Sequence, residues 1–235
     1  MHPKSYATPG LMLVSPVTTW RNLKHQPTWL AAFIGQCIVV ILGSLASYQP
    51  VRELSEAAGM IQGNEVGFAH SVYGTILLAL ALVCLTNLAV IIAISVCLPV
   101  LGIRPKLLKI LVLASYSLLP FALGGAIGQL LLAFTRVLTN DPGRAIALII
   151  KPFPAGLASV LPDAFPSLSF PWFVTSYIDA FSVWALVCLI LGARYYLELS
   201  RTRVMWFGLG QVLILIITLT VFWQGTQGLR ASLAY

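Results

Sequence analysis

Five long apolar stretches, nearly emptied of charge, occupy most of this 235-residue chain, at about 29–48, 72–101, 108–134, 176–197 and 204–223. Between Glu65 and Arg104 the only titratable side chains are His70, Tyr73, Cys84 and Cys97. The runs from Lys109 to Arg136 and from Arg203 to Arg230 carry no charge between their ends. A bilayer core of about 30 Å is crossed by a helix of ~20 apolar residues, and a soluble domain has no reason to build five such segments. Charged residues make up 9% of the chain, against roughly 25% in soluble domains, and that deficit separates a membrane protein from a soluble one with a large core. Unpaired backbone groups cost several kcal/mol in lipid, which leaves helices or closed barrels as spanning structures. Barrel strands alternate polar and apolar residues; LLALALVCL at 77–85 and VLILIITLTVF at 212–222 do not. The expected fold is all-α: a polytopic transmembrane helical bundle of five spans.

Charge in the connections orients the bundle. Lys4, Arg21 and Lys24 precede the first span, Arg104, Lys106 and Lys109 follow the second, and Arg194, Arg201 and Arg203 follow the fourth. These nine face five on the other side: Arg52, Arg136, Arg144, Lys151 and Arg230. The positive-inside rule then places the N-terminus in the cytoplasm and the C-terminus outside. Of the carboxylates, Glu53, Glu56, Glu65, Asp141, Asp163 and Asp179 fall outside and only Glu198 inside. The net charge of +7 is read as basic helix ends facing anionic headgroups, and no nucleic acid partner is expected.

Residues 1–28 form a cytoplasmic lead-in, too poor in apolar residues for the core of a removable signal peptide. Within it Ser15-Pro16 reads as a helix start, serine at the N-cap and proline at the first helical position. Trp20 and Leu23 share one face, Arg21 and Lys24 flank them, and Pro27 stops the helix. A short helix lying in the headgroup region is expected. Residues 29–235 form the membrane domain. A short helix is expected at 51–62. The outer loop, 135–175, opens on a turn at 140–143 and carries prolines at 142, 152, 154, 162, 166 and 171, a density that argues for irregular structure. A re-entrant or interfacial helix near 144–150 is one alternative there.

In the third span, Ser115-Tyr116-Ser117 leads into Pro120, whose ring kinks the helix; Gly124 and Gly128 form a G-x-x-x-G pair suited to close helix approach. Asn87, Gln129 and Gln211 add uncharged hydrogen-bonding groups. The fourth span is the weakest by hydropathy. Ser176 to Asp179 fits an S-x-x-D capping box at its outer end, and at its inner end Arg194 can snorkel to the headgroups beside Tyr195 and Tyr196. Cys37, Cys84, Cys97 and Cys188 all fall inside spans, where they act as small hydrophobes. No residue set resembles a catalytic centre, a metal site or a cofactor cradle: no cofactor is expected, and the chain is expected not to be an enzyme.

Three patches resemble a known family. They are Ser15-Pro16 with Thr19-Trp20, Leu23 and Pro27; Ala114-Ser115-Tyr116-Ser117-Leu118-Leu119-Pro120; and Asp179-Ala180-Phe181-Ser182-Val183-Trp184 followed by Leu191-Gly192-Ala193-Arg194. In that order they resemble the Yip family (the Ypt/Rab-interacting-protein domain) of five-span membrane proteins, in particular its short bacterial members. The resemblance implies Pro16, Trp20, Pro27, Tyr116, Pro120, Asp179, Phe181, Trp184, Gly192 and Arg194 as family-motif positions, and a location in the bacterial inner membrane. Eukaryotic relatives bind small GTPases through a longer cytosolic N-terminal region; with 28 residues before the first span, that partner is not expected here.

The leading expectation for function is a non-enzymatic scaffold or accessory subunit, packing in the bilayer against partner membrane proteins or against itself. The alternatives are a small transporter, channel or permease-like subunit of an export complex, resting on Pro120, Tyr116, Gln129 and Asp179, and a lipid-binding or membrane-shaping protein, resting on the N-terminal helix.

Overall fold

The computed structural model describes residues 9–25, 27–57, 71–135 and 169–233, and every regular element among them is a helix. In chain order they are α1 (Pro9–Val14), α2 (Pro16–Leu23), α3 (Leu30–Ala46), α4 (Tyr48–Ala57), α5 (Val72–Val100), α6 (Leu107–Ser117), α7 (Leu119–Thr135), α8 (Phe170–Tyr177), α9 (Ala180–Tyr195) and α10 (Arg201–Leu233). The turn at 140–143, the segment 144–150 and most of the outer loop lie outside the described residues. So do residues 58–62 of the helix expected at 51–62, of which 51–57 belong to α4.

Among the described residues, three helices are long and apolar enough to cross a membrane: α5, the pair α6–α7 taken as Leu107–Phe134, and the apolar part of α10, Arg201–Val221. A fourth is counted if α3 and the start of α4, bent by 54° at their junction, form one span. The bend falls where apolar sequence gives way to polar: α3 is uncharged throughout, whereas α4 carries Arg52, Glu53 and Glu56. The weak fourth stretch is α9, with 16 residues. At 1.5 Å per residue it reaches only about 24 Å, short of a hydrocarbon core.

One local expectation needs correction. Ser176 does not cap α9, because it lies inside α8; α9 begins at Ala180, directly after Asp179. The break in the third stretch falls at Leu118, two residues before Pro120, because the proline ring meets the carbonyl four residues back and disturbs the turn that precedes it.

The described chain divides into two compact units. The first comprises 1–39, 82–123 and 181–214; the second comprises 40–81, 124–180 and 215–235. The first holds a contiguous core built around Met12, Trp20, Leu23, Leu113, Tyr116, Cys188, Tyr196 and Phe207. In the second, α3 and α7 meet at Gly43. A Cβ there would lie 2.8 Å from the Ala126 Cα and 2.7 Å from the Gln129 Oε1, so the helices touch backbone to backbone. Beside that contact the Ser44 hydroxyl donates to Gln129 Oε1 at 3.2 Å.

Candidate functional site

A cluster of buried aromatic and aliphatic side chains lies in the first unit, where α2 packs into the bundle. Pro16 enters α2 with its φ already suited to a helix and no amide to leave unpaired. Ser15 stands at the N-cap, but its hydroxyl donates to Thr18 Oγ1 at 2.9 Å instead of accepting from a backbone amide of the first turn, while Thr19 Oγ1 donates to the Ser15 carbonyl at 3.0 Å. This short helix turns its apolar face inward: Trp20 and Leu23 are both 0% exposed. The face expected to dip into headgroups is therefore spent on the protein, and the polar face, with Arg21, Lys24 and His25, is the exposed one.

Trp20 sits on Gly192. A Cβ on Gly192 would come within 2.8 Å of two indole ring carbons and 2.3 Å of Leu113 Cδ1. Helical side chains cover the turn N-terminal to their own Cα, so a glycine at 192 uncovers the carbonyl four residues back. The indole takes that carbonyl: Trp20 Nε1 donates to Cys188 O at 3.0 Å. A buried Trp N–H needs such an acceptor, and a carbonyl already inside a helix can accept again through its second lone pair. Tyr116 meets the indole edge-on with ring centres 6.1 Å apart, and Tyr196 lies against it at 5.8 Å. Trp184 packs on the same core from its half-buried position on α9.

α9 closes in a turn that this cluster shares. The Gly192 carbonyl accepts from the amides of Tyr196 and Leu197, and the Ala193 carbonyl from that of Leu199. Arg194 Nη1 donates to the Leu199 carbonyl, so this arginine ties down its own connection. Glu198 takes the left-handed conformation at φ 59°, fully outside the core, and pairs with the Lys24 ammonium. The hydrogen-bonded Lys24 holds the Glu198 carboxyl below the usual carboxylate range, with Lys109 adding to the pull.

Around this pair lies an open cavity of about 480 Å³ lined by Arg21, Lys24, His25, Arg194, Tyr195 and Glu198. The Arg21 guanidinium stands 5.2 Å over the Tyr195 ring, and the Lys109 ammonium 5.9 Å from the Tyr196 ring centre.

Deeper in the same unit a polar relay joins α3, α5 and α6. Gln36 Nε2 donates to the Ser115 carbonyl, which has no proton to give, so Gln36 presents its oxygen to Asn87. Asn87 Nδ2 donates to that oxygen at 2.6 Å and to the Val83 carbonyl at 2.9 Å. The acceptor at the start thus fixes both amide orientations, and Asn87 Oδ1 has no donor among the described residues.

The structure therefore brings Trp20, Tyr116, Trp184 and Gly192 into one core, with Arg194 at its edge. Pro16 is buried in α2 and Pro27 exposed just before α3; Pro120 is buried at the start of α7, and Phe181 is half-buried on α9. Gly124, Gly128 and Asp179 belong to the second unit, where Gly128 and Asp179 are buried. A Cβ on the neighbouring Gly125 would meet nothing within 4 Å; the close approach of α7 shown by the structure is to Gly43.

The model of the Yip1 domain family matches residues 10–222, nearly the whole chain. The chain belongs to the Yip1 domain family. No curated protein and no solved structure matches it. In this Yip1 domain the match begins in α1 and takes in both partners of the Trp20–Gly192 contact. The sequence reading has Tyr196 beside Arg194 at the headgroups, not against Trp20, and it does not contain Gly43 or the Lys24–Glu198 pair. Gly43 had a signal, as a glycine in an apolar helix with Ser44 beside it; the Cys188 carbonyl had none, because every residue carries one.

Proposed function

We propose that this Yip1-domain protein is a five-span integral membrane protein of the bacterial inner membrane, N-terminus inside and C-terminus outside, working as a non-enzymatic scaffold or accessory subunit. α9 serves as the fourth span, short in hydrocarbon and extended by Asp179 at one end and Arg194 at the other. Two features support the orientation. Lys24, Lys109 and Glu198, from three connections assigned to the inner side, meet in one unit. That unit also holds nine lysines and arginines against one carboxylate.

The observation that carries the scaffold reading is where the intramembrane polar and small groups go. Gln36, Asn87, Ser44, Gln129, Gly43 and Gly192 are all engaged in holding helices together. Only 22% of the apolar window of α5, and of Arg201–Val221, is buried among the described residues, against 61% for Leu107–Phe134, and their exposed side chains are largely apolar. They form broad surfaces for lipid, a partner's helices or a second copy. The permease alternative rests on Pro120, Tyr116, Gln129 and Asp179. Tyr116 is fully buried against Trp20, and Gln129 is bonded to Ser44. Affinity capture in mild detergent tests the scaffold reading: it predicts a stoichiometric membrane partner or a homo-oligomer, and a stable monomer alone contradicts it.

A further inference from the structure

We propose that the basic recess of the first unit is a binding site for the phosphate of an anionic membrane-lipid headgroup. Four basic side chains line it, two segments far apart in sequence supply them, and one carboxylate, Glu198, opposes them. Its volume of about 480 Å³ lies within the roughly 300–1,000 Å³ of ligand pockets. The donors are not used up. Arg194 commits one N–H to the Leu199 carbonyl, and a guanidinium has five in a fork suited to phosphate oxygens. Arg21, held over Tyr195, keeps its N–H groups for acceptors beyond the ring. Lys24 is already paired, and the carboxylate it holds is an internal anion standing where an external one would enter. The recess is also built to keep its shape. Trp20, one residue before Arg21, is fixed on Gly192, and the turn carrying Glu198 is fixed by the carbonyls of Gly192 and Ala193.

A lipid fits better than a free anion because the recess closes the end of apolar helices. α9 ends at Tyr195, which lines it, and α10 starts six residues later with Met205 and Trp206 exposed at 57% and 58%. Leu107, close to Lys109, is 64% exposed. Tyr195 itself lines the recess, and a tyrosine at the end of an apolar helix is what a membrane interface selects. Basic pockets at helix ends hold anionic headgroups through the same combination of charge and confinement. This site stands or falls separately from the scaffold reading, which concerns the outward helix faces.

The test is native mass spectrometry of the full chain in detergent, titrated with phosphatidylglycerol, phosphatidylcholine or inorganic phosphate. The expected result is selective retention of phosphatidylglycerol. Arg21→Gln should weaken it about five-fold, the scale of one basic residue near an anionic surface. Glu198→Gln should strengthen it by a similar factor, since it removes the competing anion; a purely structural role for the Lys24–Glu198 pair predicts no gain. Arg104→Gln with Lys106→Gln removes twice the charge lost in Arg21→Gln, from residues outside the recess, and should leave retention unchanged. Equal retention of the two lipids overturns the proposal. So does equal weakening by the 104/106 variant, failure of Glu198→Gln to strengthen binding, or inorganic phosphate binding as tightly as the lipid.

Discussion

The two units of the chain solve the problem of helix contact by opposite means. In the first, a large aromatic side chain from a short helix fills the space above a glycine: Trp20 lies on Gly192 and bonds the carbonyl that the glycine uncovers. In the second, nothing is inserted; Gly43 lets the backbone of α7 come close at Ala126, and Ser44 and Gln129 seal the contact with one hydrogen bond. Their charges differ as well. The first unit has nine basic residues and one carboxylate, whereas the second has five basic residues and six carboxylates. A glycine in a membrane helix thus has two uses. It admits another helix, or it admits a side chain from outside the spans and ties a non-spanning segment to the bundle.

The sharpest way to break the contrast is to empty the aromatic seat. Trp20→Ala removes a fully buried ring and its hydrogen bond, and should cost about 3–5 kcal/mol, the range for large aromatic truncations in cores, read from the unfolding midpoint in mixed micelles. If the helix instead lay on lipid, the midpoint would barely move. Next come the glycines. Gly192→Ala and Gly43→Ala each force a clash, and overpacking typically costs about 1–3 kcal/mol. Gly43→Ala should be the less forgiving of the two, because its neighbour is backbone at 2.8 Å and cannot rotate away. Gly125→Ala, with open space around its Cβ position, should be near neutral, and a loss there equal to that at Gly43 would show that the α7 contact is misplaced.

Smaller effects test the polar groups. Gln36→Leu leaves Asn87 Nδ2 with only the Val83 carbonyl, and hydrogen bonds between membrane helices average about 0.6 kcal/mol, so a shift of that order is expected in the same assay. Smallest is the exposed Lys24–Glu198 pair. The Glu198 pKa is depressed in the folded chain, so its contribution is present above the ordinary carboxylate pKa of about 4.3 and lost as pH falls through the lower folded value. The stability difference between wild type and Glu198→Gln should therefore shrink below about pH 4 and also shrink in high salt. A difference that stays constant with pH would show that the pair is absent.

Much of the architecture was legible because lipid imposes a simple rule: long uncharged runs become helices. α5 and the pair α6–α7 fall within a residue of their expected limits. α9 was less legible, because hydropathy reports apolar length and not where a turn closes; Gly192 and Ala193 end it with carbonyls that any sequence supplies. Trp20 was legible as an important residue but was assigned the wrong environment. An amphipathic helix beside a membrane has two apolar neighbours, lipid and protein, and its own pattern is the same for both. What distinguishes them lies some 170 residues away, in a glycine whose meaning depends on the ring above it.

The central claim is that Trp20 and Gly192 form one contact, and a double-mutant cycle tests it most directly. Unfolding midpoints are measured for wild type, Trp20→Ala, Gly192→Ala and the double variant. If the two form one contact, Gly192→Ala, costly in the wild type, costs much less once Trp20 is alanine, because the space the indole left takes the added methyl and lets the end of Leu113, 2.3 Å from that methyl, turn away. Additive losses from the two substitutions would contradict it.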